Sequence, residues 1–349
     1  MGEKNMKVLV TGGCGFLGSH VCEFYINRGD NVISFDSMTK YELERVGYGV
    51  EASRDYNWNY LEKLGVTMVK EDIRDFETLL EHSRGVDYII HTAAQPAMTI
   101  SEEDPELDFS TNVRGTFNVL KVARELDIPV ASCGTVHIYG NKINETLTEG
   151  DRRYLRNPVS IDETHPVVEG DLTPLHASKR SAELYLQTYI DTYKLKAASF
   201  RLTGLYGPRQ FGGEDHGWVA NFSIKAQMDK VLRIFGTGKQ VRDIIFPTDV
   251  ARAFHAFYEV GEPGIYNIGG GPDYAVSLIE CIDLIGDILG RTPEIKFEEG
   301  RHGDLLYFIC DTSKAEKFLN WRPKVTPKEG ISRLLQWIKQ EQDLFKKDI

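Results

Sequence analysis

The run Val10-Thr11-Gly12-Gly13-Cys14-Gly15-Phe16-Leu17-Gly18 constrains this chain more than any other segment. It follows the apolar, strand-like Lys7–Val10 and opens a helical pattern over Phe16–Asn27. Gly12 permits a tight turn, Gly15 lets the backbone approach an anion, and Gly18 lets the helix pack closely on the strand. The free amides and the dipole of that helix then face a phosphate. The bland alternative is a glycine-rich turn with no ligand. Asp36 argues against it, because it ends a second strand, Asn31–Phe35, at the spacing a dinucleotide site requires. A carboxylate there accepts from the ribose hydroxyls and repels a 2′-phosphate, which favours NAD over NADP.

The pattern continues as strand–helix alternation. Val66–Val69, Val86–Ile90 and Pro129–Ser132 read as further strands, with a long helix over Glu106–Leu126. Tyr41–Leu61 reads as a polar, aromatic loop holding at most a short helix. A helix over Ser178–Tyr193 and a strand over Ala197–Arg201 follow. Such alternation implies parallel strands with helices on both faces. Beyond it the pieces shorten: helices Val219–Met228, Pro247–Glu259, Ser277–Leu289 and Pro327–Phe345, with strands Leu232–Phe235, Gly264–Ile268 and one near Ile295. We therefore expect an α/β fold, a Rossmann-type doubly wound sheet over residues 1–202 with returning segments near 232–260. Residues 203–349 are expected to form mainly a smaller mixed α/β substrate lobe.

Composition narrows the function. A net charge of −11 argues against a broad grip on nucleic acid or an anionic membrane. No apolar run reaches the ~18 residues of a spanning helix, and Met1–Met6 lacks the layout of a signal peptide. Cys14, Cys22, Cys133, Cys281 and Cys310 show no metal-ligand spacing. They read as buried thiols of a cytoplasmic protein without a metal site.

Further motifs lie in order along the chain. His91-Thr92-Ala93-Ala94, Asn112, Ile138-Tyr139-Gly140, Ser178-Lys179 and Leu205-Tyr206-Gly207-Pro208 follow the glycine run. With its Gly-x-x-Gly-x-x-Gly spacing, the set resembles the extended short-chain dehydrogenase/reductase family. The later segments Arg209-Gln210-Phe211, Asp215-His216-Gly217-Trp218-Val219, Gly238-Lys239-Gln240-Val241-Arg242-Asp243 and Trp321-Arg322-Pro323-Lys324 resemble its CDP-paratose 2-epimerase branch. That resemblance implies NAD-dependent epimerisation of a CDP-hexose at C2 through a keto sugar, by a homodimer or tetramer. On the cofactor side it implies Gly12, Gly15, Phe16, Leu17, Gly18, Asp36, Asp72, Ile73, Ala93 and Lys179. On the sugar-nucleotide side it implies Gln95, Thr135, Thr203, Gln210, Trp218, Val219 and Asn221, with Lys239, Arg242 and Arg301 as cations for the diphosphate.

The resemblance breaks at one place. The family sets a Tyr four residues before a Lys on one helix, so that the ammonium lowers the phenol pKa for proton transfer. Thr135 and Lys179 take the Ser/Thr and Lys positions, but the Tyr position holds Leu175. Three readings stand open: another base, with His176 adjacent and His137 and Cys133 near Thr135; a different nucleotide-sugar oxidoreduction; or a non-catalytic binder of NAD and nucleotide sugar. His176 is one step, about 100 degrees, around the helix from the Tyr position, and otherwise reads as an exposed helix-start residue. Val136 and His137 stand where the family's 4,6-dehydratases place an acidic pair, so dehydration is disfavoured.

Overall fold

The computed structural model describes residues 5–39, 46, 50–214, 216–301 and 303–346. Its first part alternates β1 (Lys7–Thr11), α1 (Phe16–Asn27), β2 (Asn31–Phe35), α2 (Val50–Lys63), β3 (Thr67–Val69), α3 (Phe76–Ser83) and β4 (Tyr88–His91). Then come α4 (Met98–Glu103), α5 (Pro105–Phe109), a π-helical turn (Ser110–Gly115), α6 (Thr116–Leu126) and β5 (Val130–Thr135). A hairpin, β6 (Thr148–Glu149) and β7 (Tyr154–Leu155), precedes α7 (Pro174–Tyr193) and β8 (Ala197–Leu202). The last part runs β9 (Gly204–Leu205), α8 (Trp218–Gln227), β10 (Leu232–Phe235), β11 (Val241–Ile245), α9 (Pro247–Val260), β12 (Gly264–Ile268), β13 (Ala275–Ser277), α10 (Leu278–Leu289), β14 (Ile295–Glu298), β15 (Tyr307–Phe308), α11 (Ser313–Leu319) and α12 (Pro327–Gln340).

Seven parallel strands make the main sheet in the order β12-β8-β5-β4-β1-β2-β3. Successive side chains of a strand point to opposite faces. Thus Val8 and Val10 enter one apolar core with Tyr25 and Phe254, while Leu9 enters the other with Leu120 and Leu186. Both faces are covered, as an all-parallel sheet demands. The strand order reverses beside β1, and ligands bind at such switch points.

The expected long helix is broken in the middle. The turn Ser110–Gly115 widens to π geometry, and Thr116 Oγ1 donates to the Asn112 carbonyl at 2.6 Å. Insertions of this kind recur at functional sites. The expected loop over Tyr41–Leu61 also needs correction. Residues 41–45 and 47–49 lie outside the described residues, but Val50–Lys63 forms one helix. Its inward face is partly polar: Asn57 is buried and its Nδ2 donates to the Cys14 carbonyl at 2.9 Å. Apolar periodicity misses a helix whose anchor is an amide. The returning strand of the main sheet is β12, whereas Leu232–Phe235 pairs in parallel with β14 in the outer lobe. Of the stretch 232–260, α9 is the piece that packs on α1.

The outer lobe has its own core, in which Phe222, Ile234, Ile285, Leu334 and Trp337 meet. The motif at Trp321 ties the lobe down. Trp321 Nε1 donates to the Asp249 carbonyl, and Asp249 Oδ2 accepts from the Lys324 and Val325 amides, each near 2.9 Å. Among the described residues no helix is long and apolar enough to cross a membrane.

Candidate active site

The coenzyme end is built mainly of backbone. Gly12 has φ +68°, and a Cβ there would lie 2.6 Å from the Ala93 amide nitrogen. A Cβ on Gly18 would drive into the Gly12 carbonyl oxygen. No side chain caps α1 and no acidic residue lies in its first turn, so its dipole and leading amides suit an anion. Gly12, Gly15, Asp36, Asp72, Ile73, Ala93 and Gln95 line one cleft. Phe16 stacks edge-on against His20, and Leu17 packs into the core beneath. Asp36 Oδ2 accepts from the Cys14 amide at 2.9 Å and Oδ1 from the Met38 amide at 2.7 Å, which fixes the carboxylate in the cleft lining. Asp72 is gripped by Arg74 through Nε at 3.0 Å and Nη2 at 2.6 Å, and these bonds hold its pKa down against burial. These residues fit a dinucleotide: the uncapped leading amides of α1 for its pyrophosphate, Asp36 for a ribose, and Ile73 and Ala93 as apolar walls.

A second group of candidates centres on Lys179. It sits on α7, and Glu183, one turn further, is the carboxylate that helical spacing would offer it. Glu183 is already committed to Arg201, with bonds of 2.8 and 2.9 Å, and to Arg180. Lys179 is left with no hydrogen-bond or ion-pair partner among the described residues. Burial lowers its pKa, against upward pulls from Cys133 and Asp108. Cys133 itself is pushed up by burial to about 12, so it is a protonated thiol and no base. His91 is satisfied on both sides. Thr116 spends its proton on Asn112, so His91 Nε2 donates to Thr116 Oγ1 at 3.0 Å and Nδ1 accepts from Thr11 Oγ1 at 2.7 Å. Burial and the Lys179 charge hold its pKa near 3.

Thr135 ends β5, and its Oγ1 accepts from the His137 amide at 3.2 Å. Leu175 is buried, with no proton to give. His176 is buried too, not an exposed helix-start residue. The reason is local: Nδ1 accepts from the Thr173 amide at 3.0 Å and lies 2.9 Å from the Thr173 hydroxyl, a reciprocal cap that turns the ring inward. The rings of His137 and His176 meet edge to face, 6.4 Å apart.

The sugar-nucleotide candidates divide by their partners. Lys239 is paired with Glu149 at 2.7 Å. Arg301 lies over the Phe235 ring at 4.1 Å and donates to the Glu214 carbonyl. Arg242 donates to the Val241 and Leu305 carbonyls and makes no close ion pair among the described residues, although the Asp304 and Asp243 carboxylates act on its charge. Gln210 donates to the Leu205 carbonyl, but its buried Oε1 has no partner among the described residues. Asn221 and Val219 are buried on α8, and Trp218 meets Phe222 edge-on. Thr203 donates to Asp243 Oδ1 at 2.7 Å. Gln95 is braced by Asp108, and Asn112 by Asp108, the Gln95 carbonyl and Ser178. Asp108 and Asn57 were not foreseen as site supports. The signal for Asp108 was its place one turn before Asn112.

With this geometry in hand, the comparisons with known proteins are decisive on class. The model of the NAD dependent epimerase/dehydratase family matches residues 8–269, and the chain belongs to that family. It is an NAD-dependent enzyme of that kind. CDP-paratose 2-epimerase of Salmonella typhi is 32% identical over 95% of this chain and 99% of its own length. A putative UDP-glucose 4-epimerase of Methanocaldococcus jannaschii is also 32% identical, over 95% and 98%. The crystal structure of Thermus thermophilus UDP-glucose 4-epimerase complexed with NAD superposes with a TM-score of 0.76, at 32% identity over 96% of this chain and 99% of that one.

Proposed function

We propose that this protein epimerises a nucleotide-activated sugar, a CDP-hexose at C2, through a keto-sugar intermediate and with no net redox change. The observation that carries the reading is Lys179: an unpaired, half-buried ammonium on α7 that acts electrostatically on Cys133 of β5 and on His91 of β4. A cation left bare beside a dinucleotide cleft suits a nicotinamide ribose and the sugar oxygen next to it. When bound, the coenzyme supplies a hydride acceptor and returns the hydride. Thr135 donates a hydrogen bond to the reacting oxygen, Lys179 holds the ribose and lowers the energy of developing negative charge, and Arg242 meets the diphosphate.

The likeness to the Salmonella typhi 2-epimerase supports CDP and C2. Equal identity to a putative UDP-glucose 4-epimerase supports a second reading, epimerisation at C4 of a UDP-hexose. An assembly of two copies is supported by the outer face of α6 and α7, where Phe117, Leu184 and Tyr185 are exposed. The test is to incubate the NAD-loaded protein with CDP- and UDP-hexoses and follow the sugar protons by NMR. Inversion at C2 of a CDP-sugar without accumulation of reduced coenzyme is the expected result. Inversion at C4 selects the second reading, stoichiometric reduction of the coenzyme makes the protein a dehydrogenase, and an unchanged sugar makes it a binder.

A further inference from the structure

Two imidazoles meet near Leu175, one beside it at the start of α7 and one on the turn after β5, and they are not equivalent. A ring nitrogen that accepts from an amide carries no proton, so neutral His176, whose Nδ1 is spent on Thr173, holds its proton on Nε2. To become a base it must break the cap of α7. His137 has no side-chain hydrogen bond among the described residues, and it sits two residues past Thr135 on the short turn that Thr135 caps. Its ring meets His176 edge-on. The charged and titratable groups acting on it are Arg242 of β11 and His176 of α7.

Resting on the function proposed above, we propose that His137 accepts the sugar hydroxyl proton in place of the absent tyrosine, and that the substrate's own diphosphate enables it by seating on Arg242. The balance is simple. The O–H bond breaks and its proton goes to a ring nitrogen of His137. The C–O double bond forms as the C–H hydride leaves to the oxidised nicotinamide. The return step reverses both transfers on the opposite face of the sugar.

In the free protein, burial first and the Arg242 charge second keep His137 neutral, with a pKa near 3. A base that weak is poorly matched to neutral pH. Two negative charges against Arg242 cancel the positive field and bring the imidazole toward its working range. A sugar lacking its diphosphate leaves the base idle, so the arrangement couples chemistry to the nucleotide handle.

The test begins with a readout that needs no turnover. Histidine rings are labelled with 15N in the NAD-loaded protein, and His137 is assigned by the peak lost in His137→Gln. Midpoints are then measured alone, with cytidine, and with CDP or UDP, whichever calorimetry shows to bind more tightly. The expected result is a rise of about one pH unit or more with the diphosphate, none with the nucleoside, and no response in Arg242→Gln. An unmoved midpoint with diphosphate bound overturns this proposal and leaves the proposed function standing. Failure of both diphosphates to bind overturns both. In turnover, His137→Gln is expected to lose about 10²–10⁴ in kcat with little change in KM. His176→Gln, which keeps an acceptor for the Thr173 amide, is expected to lose much less, and equal losses overturn the assignment to His137.

Discussion

The set of residues proposed for the coenzyme and the set proposed for the sugar are assembled in different ways. The first is a strand, a glycine turn and a helix contiguous in sequence, with its geometry set by missing side chains at Gly12 and Gly18. The second draws single side chains from β5, α7 and β11, and what each can offer depends on what its neighbours are already bonded to. Lys179 is bare because Glu183 serves Arg201. The difference teaches that the coenzyme end follows from local sequence, while the proton transfer proposed around Leu175 depends on how distant side chains are paired.

The contrast is broken most directly at Gly18. Gly18→Val pushes a side chain into the Gly12 carbonyl, and NAD affinity measured by calorimetry should fall at least about 100-fold, roughly 2.7 kcal/mol. Unchanged affinity in a folded variant would mean that close helix–strand packing does not make the site. Next in size, Arg242→Gln should weaken CDP or UDP binding about tenfold or more, as expected for loss of a charge-assisted bond to phosphate. NAD binding should be unaffected, and a parallel loss of both would erase the separation of the two ends. At the missing phenol, Leu175→Tyr is expected to raise sugar oxidation about tenfold, a gain at the low end of general-base effects. Because Leu175 is buried, its thermal midpoint should be checked for the ~1–3 kcal/mol cost of overpacking. The smallest effect belongs to Lys239→Gln. A lysine already paired with Glu149 at the surface should change nucleotide affinity by less than about threefold, in keeping with ≤1 kcal/mol for such pairs.

The fold was largely legible because its signals are local. Short continuous apolar runs alternating with helical patterns marked the sheet from Lys7 to Arg201, and Asp36 lay at its expected distance from the glycines. What escaped had long-range or polar causes. The helix Val50–Lys63 is anchored by Asn57 on the Cys14 carbonyl, and the π turn at Ser110–Gly115 accompanies a threonine-to-carbonyl bond inside a regular pattern. The inward turn of His176 follows from a cap that gives no apolar signature.

By itself, then, the sequence determined the class: the glycine turn, Asp36 and the strand–helix alternation specify a parallel sheet with a dinucleotide at its switch point, because each is a property of neighbouring residues. Only the tertiary structure decided which charges are already paired and which imidazole is held in a helix cap. Lys239 meets Glu149, Glu183 meets Arg201, and Arg242 acts on His137. Charge and hydrogen-bond capacity depend on distances through space, and these partners come together only when segments far apart in sequence pack together.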